Sequence, residues 1–181
     1  VQHIAPRLSF SINSRLRNSV SNLTAQQWLT NASINLPSFA QTHHFSFTGS
    51  YQRRDTANQY LFSNNFPFSR GYVYTPNYPV MYKTSVNYLM PLVYPDFGLA
   101  QLIYINRIRT TLFYDHTTGK SLRTGLTRAF SSAGGELWFD TKLWNHFPLS
   151  IGVRYSRLLD TEFTGTTNAD RFELLIPLTF L

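Results

Sequence analysis

The 181-residue chain is rich in aromatics (15 Phe, 11 Tyr and 3 Trp) and only 14% charged, well under the roughly 25% that a water-soluble domain carries. Its net charge of +7 and pI near 9.9 would suit a nucleic-acid partner, but the basic residues fall singly along the chain with no patch or recognition helix, so no nucleic acid is expected. The absence of cysteine excludes disulfide and thiolate chemistry.

No stretch approaches the roughly 20 consecutive apolar residues of a spanning helix. Period-two alternation recurs instead, in segments near the ~10 residues that a tilted membrane-spanning strand requires. Val1 to Leu16 reads as strand with no leader, so the chain is expected to be a processed protein or a piece of a longer one. The first segment, Arg7 to Leu16, sets Leu8, Phe10, Ile12 and Leu16 against Arg7, Ser9, Ser11, Asn13 and Arg15. The second, Trp28 to Leu36, sets Trp28, Ala32, Ile34 and Leu36 against Asn31, Ser33 and Asn35. In the third, Phe45, Phe47, Gly49 and Tyr51 oppose Ser46, Thr48, Ser50 and Gln52. The fourth, Tyr82 to Met90, opposes Tyr82, Val86, Tyr88 and Met90 to Lys83, Ser85 and Asn87.

The fifth, Leu102 to Tyr114, is expected to turn Tyr104, Ile108, Leu112 and Tyr114 outward and Arg107 and Arg109 inward, with Asp115 beside them. In the sixth, Leu137, Phe139 and Leu143 alternate with Glu136, Trp138, Asp140 and Lys142. The seventh sets Leu149, Ile151, Val153 and Tyr155 against Ser150, Gly152, Arg154 and Ser156, and the eighth closes the chain at 171–181.

The connections are expected to alternate in length: long at 17–26, short at 37–42, very long at 53–80, short to medium at 91–100, long at 116–133, short at 144–148, long at 158–170. Outer-membrane barrels show this asymmetry, with short periplasmic turns and longer extracellular loops. It puts both chain ends on the periplasmic side and requires an even strand count. Aromatics at strand ends (Trp28, Tyr51, Tyr82, Tyr114, Tyr155, Phe180) suit an interfacial girdle. A soluble sandwich also alternates, but the charge content and loop asymmetry favour a barrel. The expected fold is therefore all-β: a transmembrane antiparallel β-barrel of about eight strands over 1–181, in a bacterial outer membrane. The mean hydropathy of −0.21 does not oppose this, because a barrel keeps its polar groups in the lumen.

In the last segment, Phe172, Leu174, Ile176, Leu178 and Phe180 alternate strictly. This resembles the C-terminal signal by which barrel-assembly machinery recognises its clients, although those signals usually end on the aromatic and here Leu181 follows it. Pro177 cannot donate a ladder hydrogen bond and marks an edge, a bulge or weak pairing where a barrel would close.

The longest loop contains FPFSRGY, ending on Arg70, Gly71 and Tyr72. On this motif the chain resembles the outer-membrane assembly factor superfamily: the BamA- and TamA-type insertases and the bacterial surface antigen domain. Their sixth extracellular loop carries an aliphatic-Arg-Gly-aromatic motif and folds back into the lumen. The order of later features is similar too: VNYLMPL at Val86 to Leu92, Phe113-Tyr114-Asp115, Gly134-Gly135-Glu136-Leu137-Trp138, then Pro148 to Tyr155 and the terminal strand. Two departures are Ser69, where an aliphatic is usual, and Asn87, where insertases often have an acid.

The resemblance implies the C-terminal half of a barrel of about sixteen strands. It also implies that Arg70 anchors the loop on Asp115, the chemistry being a guanidinium on a carboxylate, with Gly71 giving backbone freedom for the reversal. The function implied is insertion or translocation of outer-membrane or surface proteins through a lateral seam, where a client strand adds by β-augmentation. The partners implied are outer-membrane lipids and lipopolysaccharide, client β-barrel or surface proteins, and periplasmic domains or lipoprotein subunits. The alternative is a self-contained eight-stranded barrel acting as anchor, adhesin or small pore, whose interior would be filled by side chains. A third is a channel or transporter for small anions.

No nucleophile elbow, P-loop or dinucleotide motif is present. His3, His43, His44, His116 and His146 do not converge as metal ligands would. No catalytic residue, metal or cofactor is expected. The inward charges Arg7, Arg15, Arg107, Arg109, Glu136, Asp140, Lys142, Arg154 and Glu173 imply a polar, net basic lumen.

Overall fold

The computed structural model describes residues 6–18, 24–38, 40, 42–55, 64–99, 102–144, 147–161 and 168–177. Among them are nine strands and no helix: β1 (Arg7–Asn18), β2 (Thr24–Pro37), β3 (His44–Arg54), β4 (Val80–Val93), β5 (Phe97–Leu99), β6 (Ile103–Lys120), β7 (Thr127–Leu143), β8 (Phe147–Leu158) and β9 (Asp170–Leu175). All pairings are antiparallel, each long strand beside the next, in the order β1-β2-β3-β4-β6-β7-β8-β9. The short β5 folds back on the start of β6.

The register explains why alternating sequences form these strands. Ser9↔Ser33, Ser33↔Thr48, Thr48↔Ser85 and Ser85↔Asp115 are paired across neighbours, so polar positions align on one face. That face carries Ser33, Thr48, Ser85, Asp115, Glu136 and Arg154. The opposite face carries Leu8, Phe10, Ile34, Phe47, Val86, Leu112, Val153, Phe172 and Leu174, all exposed. Leu8 and Phe172 each keep 76% of their surface accessible. The buried residues lie on the polar side, where the 64–79 segment covers the upper strands: Met81, Asp115, Thr117, Ser132 and Ser156 are completely or almost completely enclosed. The exposed face is thus the apolar one, and the covered face holds most of the buried polar side chains together with a small apolar cluster of Tyr72, Phe130 and Leu158.

Several expectations need correction. The connection at 116–133 is not a long loop. β6 continues to Lys120 and β7 begins at Thr127, leaving a tight turn in which Ser121 N donates to Leu126 O (3.0 Å) and Gly125 takes a φ of +68°. The extension was hidden because His116, Thr117, Thr118 and Gly119 are polar or small on both faces, and only β-branching marks them as strand. Similarly, β1 runs to Asn18 and β2 starts at Thr24, so the connection expected at 17–26 is shorter than it reads.

Tyr104 lies on the polar face and not, as expected, on the apolar one. Tyr104↔Lys142 and Arg107↔Asp140 both pair directly, with a register shift between Ile105 and Arg107. The extra residue, Asn106, resets the alternation. The last strand ends at Leu175, so Ile176 and Pro177 follow it, while Leu178 and Phe180 lie outside the described residues. Among the described residues β1 pairs only with β2 and β9 only with β8, so the antiparallel sheet is not closed on itself.

Candidate functional site

The segment 64–79, which runs into β4, crosses the polar face. Its turning point is Arg70. The Arg70 side chain donates from Nε to Asp115 Oδ2 (2.8 Å) and from Nη2 to Asp115 Oδ1 (2.8 Å), and its backbone N–H donates to Asp115 Oδ2 (3.0 Å). Nη1 reaches Glu136 Oε1 (3.2 Å), while Nη2 also contacts Ser85 and Asn87. The guanidinium lies 3.7 Å above the Phe113 ring, adding a cation–π contact. Three strands, β4, β6 and β7, therefore supply the receptor. Antiparallel register makes this possible, because Asn87, Phe113 and Gly134 form one row and Ser85, Asp115 and Ser132 the next.

Around this anchor the segment is pinned residue by residue. Ser69 Oγ donates to Phe130 O (2.9 Å) and shares a hydrogen bond with Thr117 Oγ1 (2.7 Å); a hydroxyl suits this buried polar spot better than the aliphatic usual in the assembly factors. Gly71 takes a φ of +85°, in the left-handed region that favours glycine. A Cβ there would stand 2.7 Å from Ser156 Cβ. Tyr72 packs edge-on against Phe68 and Phe130, beside Leu158, and its hydroxyl donates between Ser131 O (2.9 Å) and Asp160 O (3.0 Å). Lys83 Nζ holds Phe68 O (3.0 Å), and Arg54 Nη2 holds Asn77 O (3.0 Å). Tyr78 lies over Gly119, where any side chain would collide with the ring.

The electrostatics favour the docked segment. Burial alone would lower the Arg70 pKa, but its hydrogen bond to Asp115 and the charges of Asp115 and Glu136 outweigh burial and raise it. Arg154 Nε completes Glu136 (2.8 Å), and Arg154 Nη1 reaches Glu173 on β9 (3.0 Å). A continuous polar network thus runs from the loop to the last described strand. Burial, then the Asp160 carboxylate, pushes the Tyr72 hydroxyl up to about 12, keeping it a neutral donor.

Of the residues singled out in the sequence, Arg70 and Asp115 come together, with Gly71 and Tyr72 beside them. Phe172 and Leu174 lie exposed on the apolar face of β9, and Ile176 and Pro177 are exposed just beyond it. These are far in the sheet from Arg70 and share nothing with it except the Arg154–Glu173 link. Ser85, Asn87 and Glu136 were legible as inward-facing but not as loop receptors. Thr117 and Phe130 were missed, since both fell in the expected loop at 116–133. Chemically the site is a latch: it binds a backbone reversal through one guanidinium. Among the described residues no group of three or more His, Cys, Asp or Glu is placed to hold a metal ion.

The chain matches no protein-family model, and neither a curated protein nor a solved structure is significantly similar to it.

Proposed function

We propose that this chain is part of the transmembrane β-barrel of an outer-membrane assembly-factor-like protein, comprising about the last eight strands of sixteen, that inserts or translocates outer-membrane or surface proteins. The observation that carries this reading is the latch. A long loop between two neighbouring strands doubles back over the polar face and is tied by Arg70 to Asp115 and Glu136, the arrangement implied by the Arg-Gly-aromatic resemblance. A loop of that size needs a wider lumen than eight strands enclose, because an eight-stranded interior is filled by its own side chains.

Two further features support a membrane setting. The apolar face exposes Leu, Ile, Val, Phe and Tyr side chains on every long strand except β7, far more than a soluble monomer tolerates. The open edge of β9, followed by Pro177, suits a weakly paired seam to which a client strand adds by hydrogen bonding. The partners are then outer-membrane lipids and lipopolysaccharide on the apolar face and client strands at the seam.

One observation favours the alternative, a self-contained eight-stranded anchor, adhesin or pore: the main path of the sheet holds eight strands. Paired cysteines separate the two. Because the chain has none of its own, residues 8–12 of β1 and 171–175 of β9 can be scanned as cysteine pairs in the intact protein in its native membrane. Failure of every pair to cross-link, together with loss of client insertion when the β9 edge is cross-linked to a strand upstream of this chain, is the expected result. A β1–β9 disulfide formed in high yield would establish the eight-stranded closure and overturn the assembly-factor reading.

A further inference from the structure

At the turn end of the polar face, away from the Arg70 latch, a cavity of about 630 Å³ opens between β3, β4 and β6. A second of about 450 Å³ adjoins it, the two sharing Tyr94, Arg107 and Arg109 as a common wall. The backbone makes room for them. Register shifts between Pro91 and Val93 on β4 and between Ile105 and Arg107 on β6 lie close together on neighbouring strands, and extra residues of this kind bend a strand and increase its twist.

The walls are of two kinds. Leu89, Pro91 and Tyr94 give an apolar side. Opposite stand Arg107 and Arg109, which converge on a single carboxylate: Arg107 Nη2 lies 2.7 Å and Arg109 Nε 3.1 Å from the same Asp140 Oδ2, while Ser150 Oγ donates to Oδ1 (2.9 Å). Two guanidiniums on one carboxylate leave the cluster one positive charge in excess. Arg109 also lies 5.0 Å over the Trp138 ring, which fixes its plane. The His44 ring forms part of the same lining, and its Nδ1 is buried with no hydrogen-bond partner among the described residues. Buried polar atoms are rarely left so.

We propose that this cavity is a binding site for a small organic carboxylate, a monoanion with an apolar body of ring or short-chain size. The volume is that of a small-molecule site, and the mix of apolar wall with a few converging polar groups is what such sites present. The single surplus charge matches a monoanion, because a dianionic phosphate would bring one negative charge more than the cluster neutralises. A planar carboxylate also fits the forked donors of a guanidinium, and its body would rest on Leu89, Pro91 and Tyr94. This site does not depend on the membrane or assembly-factor reading; it rests on the cavity and its charges alone.

The test is calorimetric titration of the intact protein in non-ionic detergent with 3-phenylpropionate and with its neutral amide. The expected result is saturable binding of the acid at one site, with the amide weaker by about tenfold, the worth of one charge-assisted hydrogen bond. Arg109→Gln should weaken the acid by about tenfold and leave the amide unchanged. Thr42→Trp, which fills the cavity without touching a charge, should abolish both. A short peptide with a free C-terminal Phe distinguishes the two sources of such a group: tighter binding than 3-phenylpropionate assigns the site to a chain end, equal or weaker binding to a free acid. Equal affinity for acid and amide, or no saturable binding of either in the unaltered protein, would overturn the proposal without reference to any variant's folding.

Discussion

Arg70 and Asp115 meet through three hydrogen bonds, two from the guanidinium and one from the Arg70 backbone, with Asp115 fully buried and Arg70 keeping 18% of its side chain accessible. Removing Asp115 takes away all three bonds and leaves the Arg70 guanidinium with Glu136, Ser85 and Asn87 alone, which costs on the order of 3 kcal/mol. Asp115→Ala should therefore release the 64–79 segment. Trypsin gives a direct measurement, since it cleaves after Arg70 only when that side chain is free. Rapid cleavage at Arg70 in the variant and resistance in the unaltered protein is the expected outcome. An unchanged digestion pattern would mean that Asp115 does not hold the loop.

Gly71 tests the same latch through the backbone. Its φ of +85° and the 2.7 Å approach of Ser156 Cβ leave no room for a methyl group. Gly71→Ala should weaken docking by about 1–3 kcal/mol, read as faster hydrogen exchange in 64–79 while the strands stay protected. Uniform loss of protection across β4, β6 and β7 would instead mark a global folding defect.

Tyr72 makes docking weaken at high pH. Its docked value of about 12 lies above the ordinary 10.0, so the docked state holds the phenolic proton more tightly. That contribution is fully present below pH 10 and is lost as pH rises from about 10 to about 12. A fluorophore on Asn64→Cys, the sole thiol in the chain, should lose anisotropy over that window. Tyr72→Phe should remove the dependence; a transition that persists in Tyr72→Phe would assign it to another group.

The apolar face makes a prediction that separates membrane from water. Leu112 is 49% exposed on that face, and Thr48 points the other way. In lipid vesicles Leu112→Lys should cost about 2–4 kcal/mol of unfolding free energy in a urea titration, whereas Thr48→Lys should cost little. Equal, small effects at both sites would count against a lipid-facing surface.

Much of the sheet was legible because its signal is local. Phe45, Phe47 and Tyr51 against Ser46, Thr48 and Ser50 specify both a strand and its facing, and the register carries that facing through the eight strands of the main path. Where both faces are polar or small, as from His116 to Gly119, no period remains to read. The Asn106 bulge was invisible for a related reason: one added residue reverses the faces without changing composition. Arg70 and Asp115 could be paired only by resemblance, since 45 residues separate them. Glu136, Ser85 and Phe130 join them only through the alignment of three strands, which no local pattern encodes.

That alignment has a kinetic consequence. The receptor for Arg70 is built from Ser85, Asp115 and Glu136, all synthesised after it. The loop cannot dock until β4, β6 and β7 are side by side, and closing such distant contacts requires the intervening chain to be ordered first. Docking is thus a late event, and a protected Arg70 serves as a timer for completion of the sheet. A pulse of protease during refolding should find Arg70 open long after the β3–β4 hairpin has formed.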